Sequence, residues 1–250
     1  MSDLVLVHDD GPVRTVRMNR PEKKNALTVP MYAALVDALK GADACAATRV
    51  IMIAGVPGAF CAGNDLQDFL NATQNAEGLA PPLIGFLYAL ARAEKPLVAA
   101  VSGLAVGIGT TMLLHCDHVV AASDARFSTP FVHLGLVPEA GSSLLAPRRM
   151  GHARAFSLLA MGRPLDAAGA LAAGLVNTVV APGEVETEAM KAAREIAALP
   201  AQALAATRRL LRGSPDEAVR RIDEEAAEFK RRLASPEARA AFEAFLARKK

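Results

Sequence analysis

Residues 97–111 read LVAAVSGLAVGIGTT. Leu97 to Val101 run without a polar interruption into a glycine-containing loop, Ser102 to Gly109, after which the chain shows helix signals. A short, wholly apolar run reads as a strand covered on both faces of its sheet. Residues 50–66, VIMIAGVPGAFCAGNDL, repeat the arrangement, with Val50 to Ala54 as the strand. Two such strands, each followed by a glycine loop and a helix start, predict an α/β fold with its ligand at the strand C-termini. The glycines permit positive φ and close backbone approach, and unpaired N–H groups at the helix starts point outward. Two such donors can share one oxyanion. The same spacing also suits plain strand-to-helix turns, so the residues alone leave both readings open.

Outward from these loops, Leu4 to His8 and Val13 to Met18 are β-rich runs around Asp9-Asp10-Gly11-Pro12 and predict a hairpin. Thr28 is placed to cap a helix with Pro30 in its first turn, carrying Met31, Leu35 and Leu39 at helical spacing and stopping at Gly41. Asp166 to Ala173 is alanine-rich and helical, and a short strand follows at Thr178 to Ala181. Beyond Pro182 the pattern is helical throughout: Val185 to Leu199, Ala201 to Arg212, Asp216 to Leu233 and Glu237 to Arg248, punctuated by Pro200, Gly213-Ser214-Pro215 and Ser235-Pro236.

The 250 residues are 52% hydrophobic and 22% charged, an ordinary globular composition able to bury one large core. A net charge of +2, without aromatic stacking platforms, disfavours nucleic-acid binding. Cys45, Cys61 and Cys116 are odd in number and irregularly spaced, which fits buried thiols in a reducing compartment. The start carries no secretion signal and no stretch is long enough to span a bilayer, so the expected location is cytoplasmic, away from membranes.

The pattern A-F-C-A-G-N-D-L, then A-A-V-S-G-L-A-V-G-I-G, C-D-H and F-S-T-P-F-V-H-L-G-L-V-P-E-A-G-S-S resembles the crotonase, or enoyl-CoA hydratase/isomerase, superfamily. The likeness extends from the hairpin and Arg20-Pro21-Glu22-Lys23-Lys24-Asn25-Ala26-Leu27 to the helical tail. It implies a crotonase-type spiral of ββα units over residues 1–195, with a helical region at 196–250 that assembles a homotrimer or a dimer of trimers. It also implies acyl-CoA substrates, coenzyme A belonging to the substrate and no separate cofactor or metal being needed. Two peptide N–H groups polarise the thioester carbonyl in that family, and by motif position they map to Asn64 and Ile108. The same mapping places Lys24, Ala26, Ala62, Gly63, Asp65, Leu66, Gly107, Phe131 and Leu136 along the substrate, with Lys23 and Lys24 either facing the CoA phosphates or simply exposed. Residues 69–82 are expected to border the acyl tunnel.

Within the family, hydratases carry two glutamates that orient a water, at positions matching Thr111 and Phe131 here. Neither residue can act as a base. Glu139, in Val137-Pro138-Glu139-Ala140-Gly141, stands where the enoyl-CoA isomerase branch carries its catalytic acid/base. The resemblance thus points to a 3-enoyl-CoA to 2-enoyl-CoA isomerase with Glu139 shuttling the proton and the Asn64 and Ile108 amides forming the oxyanion hole. Apolar neighbours such as Leu136 and Val137 are expected to raise the Glu139 pKa. Other readings are a hydratase or ring-modifying isomerase on the same fold, and a noncatalytic acyl-CoA binder, against which Glu139 argues.

Three further patterns are weaker. Gly103, Gly107 and Gly109 fit a nicotinamide-type loop, but Tyr32 and Tyr88 are followed four residues on by Val36 and Arg92, not lysine. His115-Cys116-Asp117-His118 offers metal-ligand types without a second cluster, and Asp117 is expected to satisfy buried backbone donors instead. Ser102, Ser128, Ser142 and Ser143 lack a G-x-S-x-G elbow, leaving His133 either to pack or to line the acyl pocket. Asp65 reads as a helix cap, and the basic runs at Arg208, Arg209 and Arg212 and at Arg220 to Arg232 as solvated or intersubunit faces.

Overall fold

The computed structural model describes residues 3–65 and 79–247. The expected hairpin is β1 (Val5–Asp10) and β2 (Val13–Met18), antiparallel with Val5 opposite Met18. Strands β3 (Val50–Ala54), β5 (Leu97–Val101), β7 (His118–Ala122) and β10 (Thr178–Val180) then add in parallel, giving a six-stranded sheet in the order β1-β2-β3-β5-β7-β10. Every residue of β3 and β5 is buried, as their unbroken apolar sequences require.

Short strands β4 (Ala59–Cys61), β6 (Leu104–Val106), β8 (Arg126–Ser128) and β9 (Leu165–Asp166) form a second sheet in that order. Each long strand therefore passes to the first sheet and its short follower to the second, one turn of a spiral at a time. The turns stack very closely. A Cβ added to Gly103 (φ +67°) would lie 2.0 Å from the Gly58 carbonyl oxygen of the preceding turn, and one on Gly109 would lie 2.6 Å from the Cys61 carbonyl oxygen. No larger residue fits either place without separating the turns.

Helices α1 (Val29–Ala44), α2 (Pro81–Arg92), α3 (Ile108–Thr111), α4 (Ser142–Met150), α5 (His152–Leu159), α6 (Ala167–Ala172) and α7 (Val185–Ala198) surround the sheets, with α7 packed on β3, β5 and β7. Two local expectations need correction. Helix α1 runs through Gly41 to Ala44, because fully buried Ala42 anchors its last turn and packing outweighs the weak helix propensity of glycine. Thr28 occupies the N-cap position but its hydroxyl makes no capping bond and is buried without a partner. Asp166 does cap its helix, accepting from the Gly169 amide at 2.7 Å.

The tail forms α8 (Ala201–Arg212), α9 (Pro215–Leu233) and α10 (Pro236–Ala247). Phe229 and Leu233 of α9 and Ala238 and Phe242 of α10 make a second apolar cluster with Phe131 and Leu136. Helix α8 is pinned by Arg208, 9% exposed, which donates to the Ala93 carbonyl at 2.6 Å and to Asp117 Oδ2 at 2.8 Å. Asp117 also accepts from the Leu97 amide at 2.8 Å, the backbone role expected of it. Among the described residues no helix is long and apolar enough to cross a membrane. Replacing Arg208 with Met leaves Asp117 and the Ala93 and Glu94 carbonyls without their shared donor. Urea unfolding should show a loss of about 2–3 kcal/mol; unchanged stability would refute the pinning role.

Candidate active site

A cavity of about 1100 Å³ opens where the C-terminal ends of β4 and β6 meet the tail helices. Lys24, Ala26, Ala62, Gly63, Asn64, Asp65, Gly107, Phe131 and Leu136 line it, so these expected substrate-side residues converge. Leu66, residues 69–78 of the expected tunnel border and the helix expected after Asp65 lie outside the described residues. Ile108 and Glu139 are buried, Ile108 fully and Glu139 with 2% exposed, and Thr111 joins Glu139 to the cavity wall, its hydroxyl bonding the carboxyl and lying 3.3 Å from the carbonyl of Gly107. His133 is exposed at the rim, its ring laid against Gly162, where a Cβ would come within 2.6 Å of it.

The Asn64 amide is aimed by strand pairing. Leu27 donates to the Gly63 carbonyl at 2.8 Å and accepts from the Asp65 amide at 2.8 Å, a parallel bridge centred on Asn64. A residue centred in such a bridge turns its own N–H to the opposite side. The Gly107 amide donates to the Ser128 carbonyl at 2.8 Å, and Gly107 (φ 55°, ψ −120°) opens α3, leaving the Ile108 amide as the first free donor of that helix. A Cβ added to Gly107 would lie 4.0 Å from Gly63 Cα, so the peptides Gly63–Asn64 and Gly107–Ile108 are neighbours. Each has its carbonyl engaged: Gly63 by Leu27, and Gly107 by the Thr110 and Thr111 amides at 2.8 and 2.9 Å. A peptide whose carbonyl accepts a bond is the stronger donor at its N–H.

Several supporting residues carried no sequence signal strong enough to single them out. Buried Asn25 (φ 57°) donates to the Ala59 and Phe60 carbonyls at 2.9 and 3.1 Å and accepts from the Arg20 amide, locking the 20–27 segment under β4. Tyr32 enters the sequence reading only as a tyrosine without a lysine four residues on, yet its hydroxyl donates to Asn64 Oδ1. Arg20 pairs with Asp65 at 2.7 Å, so Asp65 holds the loop through an ion pair. Phe229 and Phe242 also line the cavity, giving the tail helices a place at the site within the same chain.

Glu139 Oε1 accepts from Thr111 Oγ1 at 2.5 Å, while Oε2 is buried without a hydrogen-bond partner. Burial pushes its pKa up to about 8, against the Thr111 hydrogen bond and with the help of the Glu225 charge. The loop that carries it passes through Ala140 (φ 63°) and Gly141 (φ 68°) into α4. His115, driven down to about 4 by burial and hence neutral, donates from Nε2 to the Ala140 carbonyl at 2.7 Å. Burial pushes the Cys61 thiol up to about 12, with a smaller contribution in the same direction from the nearby Glu139 charge. His115, Cys116 and Asp117 therefore bond to backbone and to Arg208.

Residues 9–250 match the family described as enoyl-CoA hydratase/isomerase. The chain belongs to this family. It is 38% identical over 205 residues to a probable enoyl-CoA hydratase of Rhizobium meliloti, covering 81% of this chain and 79% of that one. Enoyl-CoA delta isomerase 2 of Rattus norvegicus is 37% identical over 225 residues, 88% of this chain but only 57% of the rat protein. The crystal structure of an enoyl-CoA hydratase/isomerase from Pseudoalteromonas atlantica superposes with a TM-score of 0.93 at 41% identity, covering 98% of each chain. The spiral is thus the crotonase fold, and relatives of comparable similarity carry the names of different reactions.

A crotonase-fold enzyme with a carboxyl group this deeply buried has a stability that depends on pH in a defined sense. The folded pKa of Glu139 lies above its ordinary value of 4.5, so the folded state holds the proton more tightly than the unfolded state. That contribution is full below about 4.5 and is lost as pH rises through about 8. Glu139→Gln should therefore melt higher than the wild type at pH 9, with the difference shrinking toward pH 5. Equal melting temperatures at pH 9 would contradict the burial of an ionisable group there.

Proposed function

We propose that the protein is a 3,2-enoyl-CoA isomerase. The observation that carries this reading is the buried carboxyl of Glu139, its Oε2 without a partner, with Thr111 and Phe131 at the two positions where hydratases hold glutamates. Activating a water takes a pair of groups around it, whereas moving a double bond takes one group that removes a proton and returns it elsewhere.

In this mechanism the thioester oxygen of a 3-enoyl-CoA accepts from the Asn64 and Ile108 amides. Glu139 Oε2 takes the proton from C2. The C2–H electron pair forms the C1–C2 double bond of a dienolate and the negative charge moves to the thioester oxygen, where the two amides stabilise it. The proton then returns from Glu139 to C4, the electrons shift back, and the 2-enoyl-CoA leaves with the atoms of the substrate unchanged. A carboxyl group with a pKa near 8 is a stronger proton acceptor than an exposed one, which suits a weakly acidic carbon. The apolar walls from Phe131, Leu136, Phe229 and Phe242 suit an acyl chain and keep water from the dienolate, while Lys23 and Lys24 at the mouth suit the anionic CoA. The exposed Leu210 and Leu211 of α8, each 83% accessible, fit coverage by further copies in a trimer.

Four measurements test the proposal. With 3-hexenoyl-CoA the conjugated-enoyl absorbance should rise, and with crotonyl-CoA it should not fall; loss of crotonyl-CoA absorbance would make the protein a hydratase. Glu139→Gln should lower isomerase kcat by about 100-fold or more, and wild-type kcat/KM should climb with pH toward a plateau above about 8. A fully active Glu139→Gln variant would falsify the role of Glu139. Sedimentation should show a trimer or a multiple of it, and a strict monomer would remove that part of the reading.

A further inference from the structure

We infer that Glu225, on the tail helix α9, is a positioning residue for Glu139, an inference that rests on the acid/base role proposed for Glu139. Glu225 is only 6% exposed on a helix whose other acidic residues mostly face solvent. Its carboxylate reaches across to the start of α4, where Oε2 accepts from the Gly141 amide at 2.6 Å and Oε1 accepts from the Ser143 amide at 2.9 Å and the Ser143 hydroxyl at 2.5 Å.

This arrangement replaces a local helix cap. The N-cap residue of α4 is Gly141, which has no side chain to offer, and no side-chain cap bond is made there. The free N–H groups of the helix are satisfied instead by a carboxylate more than 80 residues away in sequence. The two residues that follow Glu139, Ala140 (φ 63°) and Gly141 (φ 68°), are both left-handed, and at Ala140 that conformation is unfavourable unless held in place. It is held from two sides: His115 grips the Ala140 carbonyl and Glu225 grips the Gly141 amide. The direction of the Glu139 side chain, and the exclusion of partners from its Oε2, follow from that clamped backbone.

Glu225 also acts through its charge. The ionisable groups around Glu139 are Cys61 from β4, His115 from the turn after α3, which is neutral, and Glu225 from α9. Burial raises the Glu225 pKa, opposed by the hydrogen bonds from Ser143 and Gly141 and by the charge of Arg221, one turn earlier on α9, which also donates to Ser143 Oγ at 3.3 Å. With its two neighbours uncharged, Glu139 feels Glu225 as the nearby negative charge, which disfavours its ionised form. A purely structural cap would hold α4 without setting the proton affinity of the base.

The test is the pH profile of 3-hexenoyl-CoA isomerisation for the wild type and the Glu225→Gln, Glu225→Asp and Glu139→Gln variants, each also followed by thermal unfolding. Glu225→Gln should unfold cooperatively, lose kcat at least tenfold with KM within about twofold, and move the acidic limb of kcat to lower pH. Glu225→Asp keeps the charge but shortens the reach, so its limb should stay in place while kcat falls. A folded Glu225→Gln with wild-type kcat and an unmoved limb would overturn the inference. Should Glu225→Gln fail to fold, Glu225→Asp decides: wild-type kcat overturns the inference, and reduced kcat with an unmoved limb supports it. Full activity in Glu139→Gln would instead remove the reading beneath it, whatever the Glu225 variants do.

Discussion

A carboxyl group with one oxygen unpartnered inside an apolar interior is among the least favourable groups a protein can bury. Glu139 is such a group, and much of the surrounding architecture exists around it. Thr111 holds one oxygen, and His115 and Glu225 hold the backbone that follows. The energetic cost is expressed as proton affinity. A group that ionises only reluctantly is one that readily takes a proton from carbon.

The second constraint is the closeness of two loops. A Cβ on Gly63 would press to 3.2 Å from the Val106 carbonyl oxygen, and one on Gly107 would lie 4.0 Å from Gly63 Cα, so the peptides following the two glycines are neighbours. Parallel bridging to Leu27 turns one N–H away from its strand partner, and the start of α3 frees the other. Thr111 links the two halves of the site, bonding Glu139 while its hydroxyl also lies 3.3 Å from the Gly107 carbonyl, in the same peptide that carries the Ile108 N–H. The tail helices bring Phe229 and Phe242 to the cavity, so the C-terminal region contributes to the site within the same chain.

Much of this was legible in the residues. The unbroken apolar runs at Val50–Ala54 and Leu97–Val101 announce doubly covered strands, and the glycine loops after them mark where backbones approach. Local reading failed where packing overrides propensity. Helix α1 passes through Gly41 because Ala42 is buried, and Thr28 does not cap because its hydroxyl is turned inward, away from the helix amides. Tyr32 is indistinguishable from a core aromatic until the fold brings Asn64 against its hydroxyl. Glu225 lies on a strongly charged helix among many glutamates, and nothing local separates it from them.

The sequence by itself determined the strand and helix pattern, the glycines that allow the turns to stack and the family motifs, because these depend on side-chain chemistry at short range. It also specified which carboxylates are missing, at Thr111 and Phe131. Only the tertiary structure decided how deeply Glu139 is buried, how the Asn64 and Ile108 amides are turned free and what holds them. Those properties arise between segments far apart in the chain, where the low dielectric of the interior and the angles of backbone pairing, not residue identity, set the strength of each group.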